Sequence, residues 1–485
     1  MRLWKKILLG LGVVVLLLVV LFVIFVGPWP TYSSGFEGKK YFTNALGAIE
    51  KNVAESEVTS SPGRLEAGWG VSLMTPAAGV PMAGYSSRRG KGAHGAYDDL
   101  YVKALALSDG RDTAVLVGSD MLLVPENVAD MVRKDVARQT SLTPNDIYFS
   151  ASHSHCGPGA FGPGLAAYIT GGKYDRQMPV FLASAFTDAI VEAYKKLAPA
   201  KLANRSVDAE GFIRNRARQG PVDPELSYLV VESEYGNRCF LVSFSAHPTV
   251  MGGSFMEFTG SYPGHLQRAI EGATGATAVY LGGAVGSMSP RAPEGQSQVA
   301  RSEAFGQALA QLILDDAKDL EFRTNLDVVS IGLPLDLPSM QCRVFKSTKW
   351  RLSPLAGPLA GLNDTGWMQA VRVGDVVFVG VPADFSGEIS AKWKAWGADK
   401  GYDLWATSFS ADYAGYVSPD EYYGEVVGKD GNPTYETGLM SWCGPHQEAY
   451  FTALMRRMVE VMGPAPVEQK TTRGDAPVAH ERPVS

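Results

Sequence analysis

Residues 7–26 carry no charge and are rich in Leu and Val, and this run constrains the rest of the chain more than any other feature. Twenty helical residues at ~1.5 Å each reach ~30 Å, the thickness of a bilayer's hydrocarbon core, so the run reads as one membrane-spanning helix. A cleaved secretory signal has a shorter apolar region and a small-residue end of Ala-x-Ala type, whereas this run enters Val26-Gly-Pro-Trp-Pro30. Arg2, Lys5 and Lys6 precede it, which keeps the N-terminus cytoplasmic and puts everything after about Trp29 on the far side, periplasmic or extracellular. Trp29 and Tyr32 suit the interfacial aromatic belt. No second span of comparable length follows.

Whatever lies beyond the span is an ordinary globular chain. Of the 485 residues, 46% are apolar and 19% charged, enough to build a large core with no sign of wholesale disorder. A net charge of −6 with no basic patch and no zinc-finger spacing argues against nucleic acid as a partner. Cys156, Cys239, Cys342 and Cys443 are scattered without Cys-x-x-Cys spacing, so they form neither a zinc ribbon nor a redox pair. One or two disulfides are compatible with an oxidising compartment, without a pairing that spacing dictates.

Along the chain, 1–28 is expected to be the anchor. Residues 29–64 read as a polar stalk, helical around 41–53, that lifts the body off the membrane; 65–462 read as the body and 463–485, rich in Pro, Lys, Glu and Thr, as a disordered tail. Strands are expected over 101–107, 113–117, 147–149, 228–231, 240–244, 278–281, 376–381 and 404–408, with a hairpin turn at 234–237. Helices are expected over 125–139, 181–197, 264–271, 301–315 and 447–461, where apolar residues recur at helical spacing. Alternating strands and helices predict an α/β domain, a central mixed sheet with helices on both faces and a site among the loops at strand ends.

Those strand ends carry the chemistry. The 147–149 strand runs into Ser150-Ala-Ser-His-Ser-His-Cys-Gly-Pro-Gly159, where extended geometry turns His153 and His155 to one side. The 240–244 strand delivers His247, the 376–381 strand Asp384, and the 404–408 strand leads to Tyr413 and Tyr416; 278–281 opens into a Gly/Ser loop ending at Ser289. Each alone is ordinarily a cap or a satisfied polar group. Two histidines and a carboxylate brought together from distant strands are a catalytic zinc set with a position left open for water.

At this point the chain resembles the neutral, non-lysosomal ceramidases, over about residues 68–451. The matching blocks include Met82-Ala-Gly-Tyr85, Tyr97-Asp-Asp-Leu-Tyr-Val-Lys-Ala104, Ser152-His-Ser-His-Cys-Gly-Pro-Gly159, Asn215-Arg216, Ala246-His247, Gly286-Ser-Met-Ser-Pro290, Val381-Pro-Ala-Asp-Phe385, Gly415-Tyr416, Tyr435-Glu436 and Gly444-Pro-His446. The resemblance implies that zinc is held by His153, His247, Asp384 and Tyr416. It implies that His155 and Arg216 bind and polarise a substrate amide, and that Ser289 corresponds to the family's active-site serine. Departures are visible: Asp384 stands where the family usually has Glu, with Glu388 as a fallback ligand, and Ser287 and Arg291 replace the Asp and Asn that flank the serine. The family's C-terminal immunoglobulin-like domain is expected to be absent.

The expected activity is metal-assisted hydrolysis of the amide of ceramide-like N-acyl lipids at the membrane surface, yielding a fatty acid and a sphingoid base. Two alternatives stand beside it: a related zinc amidase or esterase on another substrate, and a catalytically inactive, membrane-tethered lipid-binding protein. For Arg216 the competing reading is a solvated basic strip with Arg214 and Arg218. His94, His265 and His446 are read as structural, His446 nearest to a supporting role.

Overall fold

In the computed structural model the residues described are 3–55, 63–294, 297–343, 349–424 and 435–463. Among them the α-helices are α1 (Leu3–Phe25), α2 (Lys40–Glu55), α3 (Glu126–Ala137), α4 (Leu165–Gly171), α5 (Gln177–Lys195), α6 (Ser261–Thr274), α7 (Gln298–Asp316), α8 (Ala356–Leu359), α9 (Gly387–Ala398) and α10 (Gln447–Val461). The largest sheet has eight strands, in the order Thr277–Gly282, Arg238–Phe244, Glu225–Ser233, Ala198–Asp208, Glu66–Leu73, Tyr101–Ser108, Thr113–Ser119, Ile147–Phe149. Its two outermost pairings are parallel and the rest antiparallel, so it is mixed. A second sheet orders Val328–Asp336, Thr365–Val373, Val376–Val381 and Asp403–Ser408.

The alternation of side chains along each strand sets the layers. On the Tyr101–Ser108 strand, Ala104 and Ala106 pack under α3 and α5, while Leu105 and Leu107 turn to the other face. There they meet Val371, Phe378 and Trp405 of the second sheet in one apolar layer. The outer face of the second sheet is covered by α2, α9 and α10 through Val377, Val379, Trp393, Phe451 and Leu454. The order is thus helix, sheet, sheet, helix. The α/β class and the large mixed sheet agree with expectation, and the structure adds that a second sheet stands between the first and the far helices.

Close packing of α5 on the large sheet depends on two glycines. A Cβ at Gly68 would lie 2.4 Å from the Ala193 carbonyl oxygen, and one at Gly70 2.2 Å from that of Ala189, so any side chain there would push the helix away. Opposite them α5 buries Leu182, Phe186, Ala189, Ile190 and Ala193, an i, i+4, i+7 pattern that its sequence shows directly.

The connector differs from expectation. Its α2 does not stand free: Phe42, Ala45 and Ile49 are buried in the core of the second sheet, because their spacing of three and four gives the helix one apolar stripe. All four cysteines are buried and unpaired. Residues 464–485 of the expected tail lie outside the described residues. Among the described residues one helix, α1, is long and apolar enough to cross a membrane, and none of it is covered by the body.

Candidate active site

Six side chains converge where the strands of both sheets end. His153 follows the Ile147–Phe149 strand and has a left-handed backbone, φ 60°. Its ring stacks on Phe409 at 4.1 Å, itself left-handed at φ 67°. Non-glycine residues pay a steric penalty in that region and keep it only when surrounding contacts enforce it, a common mark of a working site. His153 Nδ1 lies 2.6 Å from the Leu122 carbonyl oxygen and so carries the proton, leaving Nε2 as a free lone pair facing the cluster.

His247, after the Arg238–Phe244 strand, is oriented in the same way by the Val285 carbonyl, 3.4 Å from Nδ1. His155 reaches in from the other side, its Nε2 3.0 Å from that of His247. It can do so because position 84 is glycine: a Cβ there would stand 2.5 Å from His155 Nδ1, and φ is +105°. The ligand atoms of these three histidines lie within 4.8 Å of one another.

The second sheet brings the acid. Asp384–Phe385 pairs in parallel with Tyr416–Val417, so Asp384 and Tyr416 are placed side by side. Asp384 Oδ2 accepts from the Tyr413 hydroxyl at 2.6 Å. Its Oδ1 is buried with no hydrogen-bond partner among the described residues, 3.5 Å from His153 Nε2 and 3.8 Å from His247 Nδ1. Arg216 donates through Nη2 to the Tyr416 hydroxyl (3.1 Å) and through Nε to Glu436 (2.9 Å), and Ser287 Oγ donates to the other Glu436 oxygen (2.9 Å). Tyr435 completes this wall, 3.3 Å from the Tyr416 hydroxyl.

Burial dominates the protonation of the cluster. It pushes His153 down to about 3 and His155 and His247 well below the usual imidazole range, so all three rings are neutral at neutral pH. Burial also raises Asp384 to about 7, against the pull of Tyr413 and Arg216, and holds the Tyr416 hydroxyl protonated. Three neutral imidazole nitrogens around a buried carboxylate with an orphaned oxygen are a donor set that fits a zinc ion, whose positive charge would satisfy that oxygen.

Six of the seven residues expected from the sequence are therefore brought together: His153, His155, Arg216, His247, Asp384 and Tyr416. Ser289 is near but apart. It lies on the Met288–Pro290 strand opposite Arg214, and no described hydrogen bond joins its hydroxyl to the histidines, whereas Ser287 two residues earlier is tied to Glu436. The basic-strip alternative for Arg216 falls, since its side chain is 19% exposed and ion-paired to Glu436. Glu388 is engaged by Asn215 and Arg218 rather than by the cluster. His446 faces the Ser33 carbonyl and His265 bonds Arg268. The sequence assigns no role to Glu436, Tyr435, Ser287 or Phe409; the Tyr435-Glu436 and Gly286-Ser-Met-Ser-Pro290 blocks are the signals that point at three of them.

The fold and this site define an α/β protein of two packed sheets with a candidate metal centre between their strand ends. Residues 66–256 match the family described as neutral/alkaline non-lysosomal ceramidase, N-terminal. That match spans 191 of the chain's 485 residues and takes in His153, His155, Arg216 and His247. In fold the chain is similar to the crystal structure of neutral ceramidase from Pseudomonas aeruginosa, at 19% identity and TM-score 0.72 over 86% of this chain and 77% of that one. It is also similar to a ceramidase complexed with C2, at 18% identity and TM-score 0.70 over 86% and 78%. No curated protein matches the chain.

Proposed function

We propose that this chain is a zinc-dependent amidohydrolase that cleaves the amide of ceramide-like N-acyl lipids. The observation that carries the reading is the meeting of three buried, neutral imidazoles with the orphaned Oδ1 of Asp384, in a chain whose residues 66–256 match the ceramidase family. His153, His247 and Asp384, with Tyr416 beside Asp384, are the residues that would hold the ion. When bound, zinc supplies Lewis-acid polarisation of a carbonyl and lowers the pKa of water toward neutrality.

The remaining work falls to the chain's own groups. Arg216 and His155 border the cluster and would offer N–H donors to the acyl oxygen, where negative charge develops during amide cleavage. Glu436 keeps the guanidinium aimed by a bond to its Nε, leaving the Nη atoms for Tyr416 and the substrate. Tyr413 fixes one oxygen of Asp384 so that the other faces the histidines. Ser289, close by on its own strand, is assigned to the substrate's polar end rather than to a covalent acyl-enzyme, since the chain has no Gly-x-Ser-x-Gly elbow. In this reading 1–28 anchors the chain by α1 with its N-terminus cytoplasmic, and 65–462 is the catalytic body on the opposite side.

The test is elemental analysis of the purified full-length chain beside a His153→Ala/His247→Ala double variant, followed by hydrolysis of a fluorescent N-acyl-sphingosine. About one zinc per chain, lost in the variant together with hydrolysis, is the expected result. A wild-type chain that neither retains nor takes up zinc, or a zinc-loaded chain that cleaves no N-acyl sphingoid, overturns the assignment.

A further inference from the structure

The span does not leave the body on a loose tether. Just past α1, Trp29–Pro30 pairs antiparallel with Trp350–Arg351, and Thr31 N–H donates to the Lys349 carbonyl at 2.9 Å. Ser353 Oγ donates to the Ile24 carbonyl at 2.6 Å and Ser353 N–H to that of Val26 at 2.9 Å, inside and at the end of the apolar run. The point at which the span ends is thus fastened to residues 349–353 of the body.

Arg351 is buried at that point, its Nε donating to the Pro30 carbonyl at 3.0 Å, and the exposed surface beyond it is apolar. Two residues beyond Ser353, Leu355 is 45% exposed and Leu359 of α8 is 66% exposed. Against α8 lies α4: Ala166 N–H donates to the Ala360 carbonyl at 3.1 Å, and a Cβ on Gly164 would come within 2.9 Å of the Gly361 Cα. On α4, Leu165, Tyr168 and Ile169 stand at i, i+3 and i+4, on one face, exposed by 58%, 55% and 48%. Trp350 is 45% exposed on the strand that holds Pro30. No charged residue occurs in 158–172 or in 352–362; Lys173 follows the first segment, and the buried Arg351, then Trp350 and Lys349, precede the second. An exposed apolar surface with Tyr, Trp and Lys at its margins has the composition of a membrane–water interface contact.

We infer that α4, α8 and Trp350 form a foot by which the body rests on the bilayer that α1 crosses. The inference rests on the reading of α1 as a span. It sets the site against the membrane, because α4 is also wired to the His155 loop: Gly84 N–H donates to the Thr170 carbonyl at 2.9 Å and Ala160 N–H to that of Gly171 at 2.8 Å, and Gly84 is the residue beneath the His155 ring. An N-acyl lipid would enter from the acyl layer without crossing bulk water.

The test places single cysteines carrying an environment-sensitive fluorophore at Ile169, Leu359, Val15 and Tyr235 of the full chain, in phosphatidylcholine vesicles with and without doxyl-labelled lipid. The four native cysteines are buried and do not compete. Expected are blue-shifted emission and quenching by doxyl lipid for Ile169→Cys and Leu359→Cys, with no change for Tyr235→Cys in a distant turn. Water-like emission at 169 and 359 overturns the foot, as does a blue shift that doxyl lipid does not quench, which means a protein surface covers the patch. Val15→Cys reports on the span separately: quenched there but not at 169 and 359, the span holds and the foot fails.

Discussion

His153 and His155 are two residues apart, yet single substitutions should separate them. His153→Ala removes a proposed ligand and is expected to abolish metal retention. His155→Ala should leave the ion in place and lower kcat by about 10²–10³, the usual cost of removing one donor to a developing oxyanion. Metal content measured alongside turnover distinguishes the two, and loss of metal in both would make His155 a ligand. Glu436 is a third test. Its side chain is 1% exposed and bridges Arg216 and Ser287, so Glu436→Ala leaves a largely buried guanidinium short of its partner and should destabilise the fold by about 3 kcal/mol in urea unfolding. His153, His155, His247 and Asp384 were legible because each follows an apolar strand and breaks its pattern. Glu436 was not, because it ends no strand and its partners lie 149 and 220 residues away in sequence.

At the scale of elements, the strands that sequence reasoning found are the continuous Val- and Leu-rich ones, and those it missed carry mixed signals. Glu66–Leu73 has two glycines, Val328–Asp336 has Gly332 and Pro334, and Ala198–Asp208 is interrupted by Lys201, Asn204 and Arg205. Each becomes a strand through its neighbours in the sheet rather than through local preference. Gly70→Ala should therefore be costly despite the mild change: the added methyl meets the Ala189 carbonyl, and about 1–3 kcal/mol of overpacking is expected, seen as a lowered Tm. Ile49→Ala tests whether α2 belongs to the body. Ile49 is fully buried against the second sheet, so a loss of about 2–5 kcal/mol is expected, whereas a free stalk would tolerate the change.

For the whole molecule, the alternation of strands and helices and the order of strand-end motifs were enough to foresee an α/β fold with a large mixed sheet, and the resemblance to the ceramidases returns as the match over residues 66–256. The face-to-face sheets were not foreseeable, since a strand buried by a second sheet and one buried by helices look alike as apolar runs. Removing the metal with a chelator should lower Tm, and restoring zinc should recover it in a concentration-dependent way, because an ion that binds only the folded chain stabilises it by mass action. An unchanged Tm would argue against the centre.

The proposed donors come from the ends of two separate sheets: the histidines follow strands of the first, while Asp384 and Tyr416 follow strands of the second and pair beyond its edge in a two-stranded bridge of their own. Nothing covalent holds those sheets in mutual register; the apolar layer containing Phe378 and Trp405 does. The centre is thus a gauge of that alignment, and an ion seated in it is a rivet through two plates. A modest trimming deep in the layer, such as Phe378→Leu, should then announce itself as faster zinc loss well before the chain unfolds.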